Sequence, residues 1–194
     1  MTPQPKVRMT VEEFIPWAMA QPRGRFELVQ GQVVAMAPER VRHNLLKLAA
    51  ARALERAVEK AGLPCTVFTD GMTVRIDAHT AREPDASVQC GVALDLDSLE
   101  LEAPLIVVEV TSPSSELADT STKLVEYFSV PSIRHYLIVD SKNGAVIHHA
   151  RGPGNAVDTL ILTAGTITLD PPGLVLTAES LLHLPTGPST DDAG

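Results

Sequence analysis

The stretch PLIVVEVTSPSS, Pro104 to Ser115, holds five branched aliphatic residues and one glutamate, Glu109, in what otherwise reads as a buried strand. An unpaired carboxylate taken out of water costs several kcal/mol in practice. Glu109 is therefore exposed at a strand end, protonated, paired with a cation, or bound to a metal. Each option requires different company elsewhere in the chain.

Composition limits that company. A chain of 194 residues with 44% hydrophobic content builds one sizeable core, and one domain over residues 10–184 is expected, with a tail at 1–9 and a disordered tail at 185–194. Only 4% of the residues are aromatic, so the core rests on Val, Leu, Ile and Ala. Cys65 and Cys90 are too few for a disulfide framework, which fits a reducing cytosol, and either thiol could simply be buried. MTPQPKVRMT at the N-terminus lacks an apolar signal core, and no apolar run approaches the roughly 18 residues of a membrane span. A cytoplasmic protein without membrane contact is the expectation. A net charge of -8 argues against nonspecific nucleic-acid binding over the whole surface, but leaves room for a local basic face or a metal-bridged contact.

Periodicity and punctuation set the element order. Thr10 and Glu13 have capping-box spacing, so a short helix begins there and is disturbed or ended by Pro16. RFELV and QVVAM flank a Gln-Gly pair as a hairpin. From Glu39 to Ala61 runs the clearest helix, with Val41, Leu45, Leu48, Ala57 and Val58 near one stripe and Gly62 as its C-cap. Strands follow at CTVFT and MTVRI on either side of Asp70-Gly71, then at DASVQC and LIVVEV. A capped helix starts near Ser114 or Ser115 and runs to Phe128. RHYLIVD, GAVIHHA, DTLILT and TITL read as strands, and TAESLLHL as a last short helix. This order gives an α/β (α+β) fold, a mixed sheet flanked by helices with an N-terminal hairpin.

Asp85 opens DASVQC and Glu109 lies near the end of LIVVEV. If those strands are neighbours, both carboxylates sit on one rim. Hard divalent cations such as Mg²⁺ favour such oxygen ligands and keep waters for chemistry.

REPDASVQC, then LIVVEVTSPSS, then DTSTKLVEYFSVPSIRHYLIVD, preceded by FELVQGQVVAMAP and His43, resembles the bacterial Uma-two-type endonuclease family, a branch of the PD-(D/E)XK nuclease superfamily. The resemblance spans roughly Thr10 to Ala150 and implies a restriction-endonuclease-like core. It also implies that Asp85 and Glu109 are ligands of Mg²⁺ or Mn²⁺. The superfamily lysine two places after the acid is replaced here by Thr111. In the Uma-type branch the lysine moves to the following helix, where Lys123 stands. Glu27 matches a front-end glutamate, whereas Gln32 stands where many relatives have glutamate. Together these imply metal-assisted phosphodiester hydrolysis, with DNA as substrate, Lys123 orienting water or neutralising charge, and Glu27 or His43 adding a hydrogen bond or proton transfer. A homodimer or other homo-oligomer is expected.

Taken singly, each residue has a plainer reading. Asp85 can merely begin a strand, Glu109 can be an edge carboxylate or the ion-pair partner of Lys123, and Lys123 with Asp119 has the i, i+4 spacing of a solvated helix face. His43 is more ordinary as a surface histidine. His148 and His149 are adjacent on a strand, point to opposite faces, and are given no role. Arg52, Arg56 and Lys60 form a basic stripe, but interleaved glutamates suit a solvated face equally well. The competing function is a catalytically inactive nuclease-fold module for oligomeric or protein interaction.

Overall fold

A computed structural model describes residues 8–91, 93–111, 117–154 and 156–185, with backbone alone for 117–120. The chain runs α1 (Val11–Met19), β1 (Phe26–Val29), β2 (Gln32–Ala35), α2 (Val41–Ala61), β3 (Cys65–Thr69), β4 (Val74–Asp77), β5 (Thr80–Arg82), β6 (Ala86–Cys90) and β7 (Pro104–Thr111). It continues through α3 (Leu117–Ser129), β8 (His135–Asp140), β9 (Ala145–Arg151), β10 (Val157–Leu162), β11 (Thr166–Leu169), β12 (Leu174–Thr177) and α4 (Ala178–Leu182). The fold is the mixed, helix-flanked α+β architecture expected from the sequence.

At its centre is a six-stranded sheet ordered β10-β9-β8-β7-β6-β3. Its neighbours are antiparallel except β7 and β8, which run parallel and are joined through α3, as a parallel pair requires a crossover. Both faces of β7 are covered. Ile106, Val108 and Val110 pack with Leu46, Ala50 and Leu54 of α2, while Val107 packs with Tyr127 of α3 and Tyr136 of β8. Burial on both faces explains the unbroken apolar run of the opening stretch. Glu109 shares the α3-facing side with Val107, close to the strand end.

A smaller sheet, β2-β1-β5-β4, packs Leu28 and Ala81 against Val11 and Phe14 of α1. β5 was not anticipated: three residues between polar neighbours carry no usable period. β3 and β4 flank Asp70-Gly71 as expected but belong to different sheets, so this turn is a corner between layers.

Local chemistry sets the helix ends. The capping box of α1 is complete, Thr10 Oγ1 accepting from Glu13 N–H and Glu13 accepting from Thr10 N–H at 2.9 Å. Thr10→Ala is expected to lower stability by about 1 kcal/mol, read as a lower denaturant midpoint at unchanged slope. α1 continues through Pro16 to Met19, so the proline does not end it. Pro16 removes one backbone donor, while Val11 and Phe14 keep the helix seated.

α2 ends at Gly62 in the left-handed region, as read from sequence. Its buried stripe differs. Leu46, Lys47, Ala50, Ala53, Leu54 and Ala57 face inward, whereas Val41 and Leu48 are exposed. Two large aliphatics misdirected the stripe by part of a turn, and the small alanines carry the contact with the sheet.

Cys65 and Cys90 lie opposite each other in the β3–β6 register and are joined as a disulfide. The pair therefore no longer argues for a reducing compartment. Arg8 and Met9, assigned to a tail, belong to the fold: Met9 N–H donates to Gly31 O at 3.1 Å. Residues 1–7 and 186–194, and the proposed cap at Ser114 or Ser115, lie outside the described residues. No helix among the described residues is long and apolar enough to cross a membrane.

Candidate active site

β6 and β7 are antiparallel neighbours, with Ala86 opposite Val108. The next pair outward along this register is Asp85 and Glu109, so the two carboxylates share one rim. Asp85 is fixed there by its own backbone, its N–H donating to Val108 O at 3.0 Å, and by Val110 N–H donating to its Oδ2 at 2.7 Å.

Around this rim lies an open pocket of about 640 Å³, with Glu27, Glu39, His43, Arg82, Asp85, Glu109, Thr111 and Lys123 in its wall. All five candidate residues, Asp85, Glu109, Lys123, Glu27 and His43, thus come together. Gln32 is exposed and does not line the pocket.

Glu109 accepts from the Tyr127 hydroxyl at 2.6 Å and from Lys123 Nζ at 2.9 Å, both on Oε1. Burial pushes its carboxyl up to about 7; Lys123 opposes the rise, and Asp85 and Glu27 add to it. Of the four opening options, cation pairing is the one the contacts show, and the raised carboxyl makes protonation easier than for an exposed glutamate. Burial and the Glu109 charge hold the Tyr127 hydroxyl well above the ordinary tyrosine range, so it remains a donor.

Lys123 Nζ also lies 3.6 Å from Glu27 Oε1. Arg82, buried between layers, donates to Glu27 at 2.8 Å and to Glu126 of α3 at 2.7 Å. Glu27 in turn accepts from Glu83 N–H at 3.2 Å. The β1–β5 sheet thereby grips α3 and sets the position of Lys123. The side chain of Asp119, its suggested helix partner, lies outside the described residues.

Asp85 has a different set of neighbours. Nε2 of His43 and Nζ of Lys47, one turn apart on α2, each lie 3.4 Å from its carboxylate. Burial alone would raise the Asp85 carboxyl, but hydrogen bonds from His43 and Val110 N–H outweigh it and hold the group below its usual range. His43 is correspondingly held above the ordinary histidine range by its bond with Asp85, against the effect of burial.

Lys47 and Arg82, paired with Asp85 and Glu27, are not among the candidates that the sequence singles out. Lys47 had a signal available: it shares a face with His43 and with Ala50 and Leu54. Arg82 had none, because its partners come from β1 and α3. Arg52, Arg56 and Lys60 are exposed as expected; Arg52 and Arg56 line a separate groove beside α4. His148 and His149 do point apart, His148 toward His135 at 3.0 Å and His149 toward Thr159 at 2.8 Å.

The Uma2 family model, described as "Putative restriction endonuclease", matches residues 11–181. This chain belongs to the Uma2 family. Membership gives it a function of the nuclease type. An uncharacterized protein of Synechocystis sp., slr1290, is 27% identical to this Uma2 chain over 160 residues, covering 81% of each. A crystal structure titled as a putative nuclease belonging to DUF820, from Anabaena variabilis, superposes with a TM-score of 0.70 at 14% identity. It covers 90% of this chain and 97% of that one, a likeness of fold.

The Uma2 pocket carries the donor chemistry of a cation site. Among the described residues Glu27, Glu39, Asp70, Glu83, Asp85, Glu109 and Glu126 face four fixed cations, Arg25, Lys47, Arg82 and Lys123, a formal balance of minus three. Asp85 and Glu109 both line the pocket, and carboxylate oxygens are the donors that hard divalent ions take. Glu39, His43 and Asp85 form a second donor group with ligand atoms within 4.8 Å of one another.

Proposed function

We propose that this chain is a Mg²⁺- or Mn²⁺-dependent endonuclease acting on DNA, with Asp85 and Glu109 as metal ligands. The observation that carries this reading is the pair of carboxylates at adjoining ends of the two central strands, opening into a pocket that also holds a lysine. When bound, the ion would polarise a phosphate oxygen and lower the pKa of a bound water.

The protein side of the mechanism is positioning and charge. Lys123, held between Glu109 and Glu27, neutralises charge that develops on the phosphate or orients the attacking water; its flexible stem reaches the site that a lysine at position 111 would serve. Glu27 fixes Lys123 and Arg82 relative to each other. His43 steadies Asp85 and is placed to pass a proton to or from the rim. Thr111 lines the pocket beside them.

Cleavage of supercoiled plasmid and of labelled oligonucleotides, in Mg²⁺, in Mn²⁺ and in chelator, tests the reading. Metal-dependent backbone scission is expected, and its absence from well-folded protein in both metals would defeat it. Lys123→Ala is expected to lower turnover by about 10²-fold while substrate affinity changes much less, the signature of a contact made mainly in the transition state. Equal cleavage after this substitution would show that the lysine does not migrate in role to α3.

One observation favours an interaction module instead. β10 is an edge strand of the large sheet, with Leu160 59% and Ile161 70% exposed, a surface suited to a second copy of the chain. A homodimer through β10 is compatible with either function, and only loss of metal-dependent cleavage would leave association as the main activity.

A further inference from the structure

Lys47 is the most deeply placed ammonium of the site, 5% exposed. Its Nζ lies 2.6 Å from Glu39 Oε1, 2.6 Å from Asp70 Oδ2 and 3.4 Å from Asp85 Oδ1. An ammonium has three N–H donors, and here three carboxylates surround it. They come from three segments: the approach to α2, the β3–β4 corner and the start of β6. Arg25 braces the far side, reaching Glu39 at 3.1 Å, Asp70 at 2.5 Å and Glu83 at 2.5 Å.

Glu39, His43 and Asp85 bring their ligand atoms within 4.8 Å of one another, with Asp70 also on the ammonium, and carboxylates with an imidazole are the donor set of a divalent-cation site. In this chain a side-chain cation stands at that point. We infer that Lys47 is a built-in counter-ion filling a second cation position beside Asp85, so that the site takes one divalent ion and accepts a second when Lys47 is removed. The inference rests on the reading of Asp85 as a metal ligand, and concerns how many ions that reading requires.

Charge favours uptake of a second ion once Lys47 is removed. With Lys47 present, the formal balance of minus three is reduced to minus one by a single dication. Without Lys47 it becomes minus four, which two dications neutralise. A purely structural ion pair makes a different forecast: Lys47→Ala would take the shared ammonium from three carboxylates, leaving Arg25 on Glu39 and Asp70 and His43 on Asp85, and metal would not repair the damage.

The test is Mn²⁺ stoichiometry, measured by the electron paramagnetic resonance signal of free Mn²⁺ during titration, on full-length wild type and Lys47→Ala, with thermal melts of both. One ion in wild type and two in Lys47→Ala is expected, together with a larger Mn²⁺-dependent rise in unfolding temperature for the variant. No ion in wild type and one in Lys47→Ala would keep the counter-ion assignment while removing the Asp85–Glu109 site. One ion in both proteins, two in wild type, or none in either would overturn it. If Lys47→Ala folds only in Mn²⁺, that dependence is the same second site read through folding; if it fails to fold even in millimolar Mn²⁺, Lys47 is structural and the inference falls.

Discussion

Asp85→Asn is expected to reduce metal-dependent cleavage by about 10³-fold and to abolish the Mn²⁺-dependent rise in unfolding temperature. The cleavage estimate follows from the several kcal/mol that a positioned metal contributes to charge stabilisation in the transition state. The thermal estimate follows from linkage, since an ion bound only by the native state raises its stability in proportion to binding. Asparagine is close in shape and its Oδ1 can still accept from Val110 N–H, so the rim persists while its charge is lost. Removing that charge also unbalances His43 and Lys47, each 3.4 Å away, so some loss of metal-free stability at neutral pH accompanies the substitution. The sign agrees with the lowered Asp85 pKa: a carboxylate more acidic in the native state stabilises the fold above its unfolded pKa, and that contribution is lost as pH falls through the native value. Single-turnover cleavage and paired thermal scans with Mn²⁺ or chelator make the comparison. Wild-type metal response in Asp85→Asn would remove Asp85 from the site.

How far the sequence carried this reading depended on whether information was local. β7 was legible because burial on both faces leaves an unbroken run of Leu, Ile and Val, against which one glutamate stands out. The rim was legible because strand ends and antiparallel pairing place Asp85 beside Glu109 without help from distant segments. The charged surroundings were not. Lys47 is buried only because Glu39, Asp70 and Asp85 meet around it, and Arg82 only because Glu27 and Glu126 arrive from β1 and α3. In sequence each looks like an ordinary surface cation. The same reason hid the bond between Cys65 and Cys90, whose pairing follows from the β3–β6 register. Pro16 misled in the opposite sense, since a local helix rule gave way to the packing of Val11 and Phe14.

The glutamate of the opening stretch gives the other large effect, on stability. In metal-free protein Glu109 has a carboxyl raised to about 7 from an ordinary 4.5, first by burial and then by the charges of Asp85 and Glu27, with Lys123 opposing. A raised carboxyl binds its proton more tightly in the native state than in the unfolded chain. That contribution is fully present below about 4.5 and is lost as pH rises through about 7, a loss on the order of 3 kcal/mol. Glu109→Gln removes the titration while its Oε1 can still accept from Tyr127. Lys123 is not stranded, because Glu27 remains 3.6 Å away. In excess chelator the variant should therefore exceed wild type by about 3 kcal/mol at pH 8 and by less than about 1 kcal/mol at pH 5, while cleavage and Mn²⁺ response at the rim are lost. A Glu109–Lys123 pair that served structure alone would reverse the sign, with a loss on the order of 3 kcal/mol at neutral pH. Denaturant melts of both proteins at the two pH values distinguish these outcomes. Destabilisation at pH 8 would mean that the carboxylate is there for Lys123, and a pH-dependent gain would mean that the fold tolerates its charge for the sake of an ion.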